Sequence, residues 1–360
     1  MKCDIILPVW DVLQLTRVCV ESLIRHTHYP YRIIAIDNGS GEQTKKYLEG
    51  LKNIRDMEIL LIRNEQNLGF VKGVNQGLRA SRAPYICILN NDTTLSDGWL
   101  SEMVEIAEDD SQIGILNPSS NTLGQYLRSN DTVDSYAKGL RHLKGEWQEM
   151  GQCGGFCMLI KRNVIDKIGF FDEIFGVGYC EETDFCRRAQ RFGFKSVRAK
   201  ASYVYHKDST SFNKRGDRKH IFERSHDIFY RRWGKPLRIA YLVGDYLKNR
   251  QHKINEISLE AARDNHQVWL FLKKSLKGSY GPPEHFNIRF FWLNSYFYRI
   301  LSIYKILKRK KKKKMDIILT DDKVLYNILM RLKSFHGVDV VFEPFPEKAK
   351  GLWNERSVYP

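Results

Sequence analysis

Nowhere in the 360 residues do about 18 predominantly apolar positions follow one another, so no helical membrane span is expected. The chain has no Cys-x-x-Cys pair and no histidine at a zinc-site spacing from a cysteine. Its seven cysteines are odd in number, and those in apolar runs read as small buried hydrophobes rather than disulfide or zinc partners. That usage fits a reducing compartment. No charged leader with an apolar core precedes the first strand, which begins at once near Cys3, so a cytoplasmic protein without a cleavable signal is expected. Internal repeats are also absent. With 42% apolar residues, the chain can still bury a sizeable core and form two domains.

What is present is an alternation of strands and helices. Cys3-Asp4-Ile5-Ile6-Leu7-Pro8-Val9 is an apolar run stopped by proline, as in a buried parallel strand. A helical pattern follows from Val12 to Arg25, then Tyr31–Asp37, a helix from Gln43 to Leu51, and a strand from Met57 to Ile62. Asn67-Leu68-Gly69-Phe70 opens a helix towards Ala80, and Tyr85–Leu89 runs into Asn90-Asn91-Asp92. Such alternation means βαβ units and a parallel sheet. Asp37 and Asp92 then fall at carboxyl ends of strands, where an α/β sheet presents its ligand crevice. A carboxylate there suits a divalent cation that bridges phosphates. Separately, Cys180-Glu181-Glu182-Thr183-Asp184-Phe185 places three carboxylates at a helix start, where one could act as a general base. Acids in a first turn also complement the helix dipole, which accounts for at least one of the three.

These pieces stand in a telling order: Ile6-Leu7-Pro8-Val9, Ile36-Asp37-Asn38-Gly39-Ser40, Asn67-Leu68-Gly69-Phe70 with Asn75 and Gly77, and Leu89-Asn90-Asn91-Asp92-Thr93. Gly154-Gly155-Phe156, Gly169-Phe170-Phe171-Asp172-Glu173, Glu181 to Ala189 and Tyr205-His206 complete the series. From Lys2 to about Lys207 the chain resembles a family 2 glycosyltransferase of GT-A fold, nearest in flavour to bacterial rhamnosyl- and related transferases. The resemblance implies that Pro8 and Val9 line a nucleoside pocket and that Asp37 bonds the pyrimidine or ribose. It implies nucleotide contacts for Asn67, Asn90 and Asn91 as well. Asp92 matches the last residue of the family's DxD motif, which holds Mg²⁺ or Mn²⁺ against the diphosphate; His206 matches a position touching metal or diphosphate. The first position of that motif is here the neutral Asn90. The family's acidic motif usually reads Glu-Asp, so Glu182 stands in the place of the base, with Glu181 and Asp184 orienting the acceptor or capping the helix. Three neighbouring acids repel one another, which raises the pKa of one towards neutrality. Lys72 and Arg79 are near enough in sequence to approach the phosphates but read as solvated cations.

The activity this implies is inverting, metal-dependent transfer from a UDP- or dTDP-sugar to a hydroxyl of a glycan or lipid-linked acceptor, in bacterial surface polysaccharide synthesis. A sugar-1-phosphate nucleotidyltransferase is the rival, but such an enzyme opens with a glycine-rich loop, and Pro8-Val9-Trp10-Asp11 has none. A non-enzymatic scaffold would require Asp37, Asp92 and Glu182 to be accidental.

The charge is uneven. Residues 237–360 carry 24 Lys and Arg against 12 Asp and Glu, out of a whole-chain net of +16. Gly234-Lys235-Pro236 marks a boundary, giving an α/β GT-A domain at 1–236 and a smaller Rossmann-like α/β domain at 237–360. Strands are expected at Leu237–Gly244, His266–Leu272, Met315–Thr320 and Val338–Phe342, with a helix from Lys253 to Asn265. This half resembles, more weakly, the N-terminal half of a family 4 GT-B glycosyltransferase, which holds the acceptor; either a second half is missing or half of the fold serves another purpose. Phe290-Phe291-Trp292 through Ile306-Leu307 reads as an aromatic-rich helix running into seven consecutive cations at 308–314. That suits a peripheral site on the inner face of an anionic membrane, or equally a core helix with a solvated basic end. No nucleic-acid partner is expected, since charge alone would support it.

Overall fold

The computed structural model describes residues 2–55, 57–207, 218–244, 251–308, 314–342, 351 and 353. The chain forms two compact units, Met1–Phe229 and Tyr230–Pro360. The division falls a few residues before the expected Gly234-Lys235-Pro236, inside a helix that runs on to Trp233 and is followed by Gly234 at φ +79°.

In the first unit the order is β1 (Cys3–Val9), α1 (Leu13–His26), β2 (Tyr31–Asn38), α2 (Glu42–Gly50), β3 (Ile59–Asn64), α3 (Phe70–Ala80) and β4 (Tyr85–Leu89). Then follow β5 (Thr93–Leu95), α4 (Trp99–Asp109), β6 (Ile113–Ser119), α5 (Val133–Leu140), β7 (Trp147–Met150), β8 (Cys157–Lys161) and α6 (Arg162–Ile168). Next come α7 (Glu181–Arg191) and β9 (Lys195–His206), and α8 (Arg218–Trp233) runs across the division. The sheet runs β3-β2-β1-β4-β8-β6-β9-β5, with β7 beside β9. β1 to β4 are mutually parallel, whereas β8 runs antiparallel to β4 and β6.

β1 and β4 are apolar along nearly their whole length because both faces are covered. On one side Cys19, Val20 and Leu23 of α1 and Trp99 and Met103 of α4 join the core with Ile5, Leu7 and Val9. On the other, α3 approaches β1 so closely that a Cβ at Gly77 would stand 2.5 Å from Ile6 Cγ2. The start of β1 is pinned by a buried acid. Asp4 takes two bonds from Arg32 (2.9 and 2.8 Å), one from the Ser81 hydroxyl (2.7 Å) and one from the Arg82 N–H (3.1 Å). Burial alone would raise its pKa, but these donors hold the carboxyl below the ordinary aspartate range.

The second unit has β10 (Arg238–Leu242), α9 (Gln251–Arg263), β11 (Gln267–Lys273), β12 (Ile288–Leu293), α10 (Tyr298–Leu307), β13 (Ile317–Thr320), α11 (Lys323–Arg331), α12 (Lys333–His336) and β14 (Asp339–Phe342). All neighbours in the order β12-β11-β10-β13-β14 are parallel. The order reverses between β10 and β13, as in a Rossmann-like sheet. Ile239, Tyr241 and Val243 enter one core and Ala240 and Leu242 another, so this sheet too is covered on both faces. One expectation fails here. Phe290-Phe291-Trp292 belongs to β12, not to a helix, because this apolar run pairs with Leu270–Leu272 at the sheet edge; the helix starts only at Tyr298. Of the expected cationic run, positions 309–313 lie outside the described residues.

Candidate active site

Parallel pairing puts the carboxyl ends of β1, β2, β3 and β4 on one edge: Val9 lies opposite Asp37, and Asp37 opposite Arg63. The antiparallel β8 begins at that edge, with Cys157 opposite Leu89. Gly154-Gly155-Phe156 therefore lies beside Asn90, whose N–H donates to the Phe156 carbonyl at 2.9 Å.

The loop after β1 is bent through left-handed backbone at both Asp11 (φ 55°) and Val12 (φ 54°). For a β-branched valine this is an outlier, of the kind that concentrates at functional sites. The bend is held from the neighbouring loop: Ser40 Oγ accepts the Asp11 N–H at 2.9 Å, and Asp11 Oδ1 accepts the Gly41 N–H at 2.8 Å. Pro8 is half-buried, but the Val9 side chain is in the core, so only its backbone faces the edge. Asp37 is buried and doubly engaged, accepting from the Ser40 N–H (2.9 Å) and from the Arg63 guanidinium. Gly39, at φ +77°, makes this turn possible; a Cβ there would also stand 2.6 Å from the Gln66 backbone.

Asp92 ends the turn after β4, directly before β5, and His206 closes β9 opposite Thr93. Their side chains meet, with His206 Nε2 3.0 Å from Asp92 Oδ1. Both atoms are buried, yet the contact lacks hydrogen-bonding geometry and neither atom has another hydrogen-bond partner among the described residues. Phe156 stacks on the imidazole (centroids 5.3 Å apart, 18° between planes), and Asn121 clamps the His206 backbone from both sides, at 2.8 and 2.9 Å. One carboxylate oxygen and one imidazole nitrogen at this spacing suit adjacent ligands about 2.1 Å from one divalent ion. Among the described residues no group of three or more His, Cys, Asp or Glu is placed to hold a metal. The pair fits an ion whose other ligands are phosphate oxygens and water.

The acidic cluster opens α7 after a second left-handed pair, Tyr179 (φ 71°) and Cys180 (φ 68°). The three acids separate in role. Asp184 is fully buried and takes the Arg188 guanidinium at 2.8 Å; Arg188 also donates to the carbonyls of Ile168 and Phe170. It ties α7 to the preceding loop. Glu182 reaches towards the sheet edge, where its Oε1 accepts the Gly155 N–H at 3.1 Å. Burial raises its pKa above the ordinary glutamate value, offset in part by its own N–H, by Gly155 and by Glu181. Glu181 is 2% exposed, its Oε2 has no hydrogen-bond partner among the described residues, and burial followed by the Glu182 charge pushes its pKa well up. The two carboxyls are close enough to influence each other, and burial disfavours the charged form of both.

Of the three asparagines, Asn67 caps its own loop by accepting from Asn38 and from the Gly69 N–H, both at 2.8 Å. Asn91 is buried and donates to the Thr16 hydroxyl at 2.8 Å, whereas Asn90 is half-buried on the edge. Arg79 pairs with Glu173 at 3.0 Å, as a solvated cation would. The sequence reading missed Arg63, Ser40, Asp11 and the linking role of Gly155-Phe156. Adjacent glycines before an apolar strand were the available signal for the last of these.

Residues 4–169 match the glycosyl transferase family 2 profile. An uncharacterized protein of Sinorhizobium fredii is 25% identical over 255 residues, covering 64% of this chain and 27% of that protein. The hyaluronan synthase of Pasteurella multocida is 25% identical over 222 residues (52% of this chain, 22% of the synthase), and the uncharacterized glycosyltransferase EpsJ of Bacillus subtilis is 28% identical over 128 residues (36% and 35%). The chain thus spans between about a fifth and about a third of the length of these curated relatives. Among solved structures, the mannosyltransferase of Pyrobaculum calidifontis, in complex with GDP-Man and Mn²⁺, gives a TM-score of 0.49 at 16% identity, covering 65% of each chain. The first unit therefore carries, over residues 4–169, a glycosyl transferase family 2 domain, the enzyme class its motifs imply.

Proposed function

We propose that the first unit transfers a sugar from a UDP- or dTDP-sugar to a hydroxyl of a glycan or lipid-linked acceptor, with inversion at the anomeric carbon, in bacterial surface polysaccharide synthesis. One observation carries the reading: the Gly155-Phe156 dipeptide touches both halves of the chemistry. Its N–H holds the Glu182 carboxylate, and its ring packs on His206, which faces Asp92. A base and a candidate diphosphate anchor thus flank one short stretch of backbone. The hyaluronan synthase relative is in keeping with a glycan product.

In this reading the edge formed by Pro8, the Val9 backbone, Asp37 and Asn67 receives the nucleoside, and Asn90 and Asn91 shape the turn beneath the diphosphate. Asp92 and His206 would hold Mg²⁺ or Mn²⁺, which supplies positive charge to the departing diphosphate. Glu182 takes the acceptor hydroxyl proton as that oxygen bonds the anomeric carbon and the carbon–phosphate-oxygen bond breaks. Its raised pKa makes it a stronger base than an exposed glutamate, and the Gly155 N–H keeps the Glu182 carboxylate oriented. The Rossmann-like second unit is read as the acceptor-holding part, as its resemblance to half of a GT-B enzyme implies.

The test is a panel of UDP-, dTDP- and GDP-sugars offered with Mg²⁺ or Mn²⁺ and simple glycan acceptors, with the anomeric configuration of any product read by NMR. Product of inverted configuration from a uridine or thymidine donor is expected. A retained configuration would contradict the single displacement, and turnover with GDP-sugars alone would contradict the donor class.

A further inference from the structure

Helix α10 has two apolar faces, and only one is used by the core. Tyr298, Ser302 and Ile306, four residues apart, are buried against the second unit's sheet. Phe297, Ile300, Tyr304 and Leu307, spaced three, four and three apart, form a different stripe, and they are 60, 67, 52 and 42% exposed. Tyr296, just before the helix, is 95% exposed. Isolated exposed apolar side chains need no explanation, but an ordered stripe of four beside a fifth exposed ring does.

Along the chain, the charge that flanks this stripe has one sign. From His285 to Met315 there are ten Lys and Arg and no Asp or Glu. Among them Lys305 and Lys308 are exposed on α10 itself, with Lys308 Nζ 5.0 Å from the Tyr304 ring centroid, and Lys314 is exposed where the described chain resumes. Arg299 is the exception, since it pairs with Asp322 at 2.8 Å. Aromatic and branched apolar side chains bordered by cations match the water–lipid boundary, where rings sit at the headgroups and cations meet lipid phosphates. A protein partner of ordinary composition would supply the apolar half of this match but not the uniformly negative border.

We propose that the outer face of α10 lies on an anionic lipid surface, with Tyr296, Phe297, Ile300, Tyr304 and Leu307 entering the headgroup boundary and Lys305, Lys308 and Lys314 meeting its phosphates. This does not depend on the transfer reading, because its readout is binding. The full chain is sedimented with vesicles of phosphatidylcholine, with or without about 30% phosphatidylglycerol, at low and high salt. Wild type is expected to follow the anionic vesicles only, and to be released by salt. The variant carrying Phe297→Ser, Ile300→Ser and Tyr304→Ser changes only exposed side chains and should bind at least ~10-fold more weakly with its circular dichroism unchanged. Equal binding by the triple variant would overturn the apolar stripe and leave a purely electrostatic attraction. Binding to neutral vesicles that ignores salt would overturn the cationic half. A wild-type dimer converted to monomer by the same three substitutions, without vesicle binding, would make the face a contact between copies and overturn the proposal.

Discussion

Gly155 donates its N–H to Glu182 Oε1 at 3.1 Å, and a Cβ on residue 155 would stand only 2.6 Å from that same oxygen. The close approach needs a residue without a side chain. Gly155→Ala is expected to push the Glu182 carboxylate aside rather than disturb the core, since the clash is with the far end of a flexible side chain. Displacing a base by about 1 Å costs up to ~10²-fold in turnover. The prediction is a large fall in kcat with a thermal midpoint close to wild type. Wild-type kcat in Gly155→Ala would show that Glu182 need not be held there.

Glu181 makes an opposite kind of prediction. Its pKa is raised in the folded chain, so folding takes up a proton, and the stability it contributes falls as pH rises from the ordinary glutamate range towards the folded value. Glu181→Gln is neutral in both states and lacks that slope. It should equal wild type in acid and exceed it in stability as pH rises, while keeping most of its activity. Denaturant midpoints across pH check this. A variant that matches wild type in acid and falls below it as pH rises would mean that Glu181 folds as the anion.

At the other end of the same dipeptide, the Asp92–His206 pair predicts metal-dependent nucleotide binding. Calorimetry of UDP and dTDP should show affinity gained with Mn²⁺ or Mg²⁺ in wild type and little gain in Asp92→Ala. The thermal midpoint should change little, because Asp92 Oδ1 lacks a partner in hydrogen-bonding geometry among the described residues. Affinity that ignores both metal and substitution would remove the pair from diphosphate binding.

Asp4 is the structural counterpart of these site acids. Asp4→Ala leaves the Arg32 charge and several donors without their acceptor, a loss of about 3 kcal/mol, at the low end for a broken buried pair because Arg32 keeps access to solvent. The lowered pKa means that this stabilisation is fully present above the ordinary aspartate value and is lost as pH falls through the folded one. The gap between wild type and variant should therefore close in acid. A gap that persists there would assign the effect to packing.

The strands of both units were legible because burial on both faces writes unbroken apolar runs, and β1, β2, β4, β10 and β11 fall within a few residues of their expected places. β12 was misread for the same reason: an edge strand and a helix start look alike when both are aromatic. Asp92, His206 and Glu182 were singled out as candidates by the family motifs. Their connection through Gly155-Phe156 was not, because it depends on β8 running antiparallel to β4, a pairing that no local pattern records. Nor could residue type separate the three acids of α7. Burial and the reach of Arg188 divide Asp184 from Glu182, and both arise from packing.

The most direct test of the account is Glu182→Gln, assayed for transfer and, separately, for donor nucleotide binding. The substitution keeps shape and removes the proton acceptor, so turnover should fall by ~10²–10⁴-fold while metal-dependent nucleotide affinity stays at the wild-type value. Turnover within a few-fold of wild type would contradict Glu182 as the base and, with it, the site described on this sheet edge.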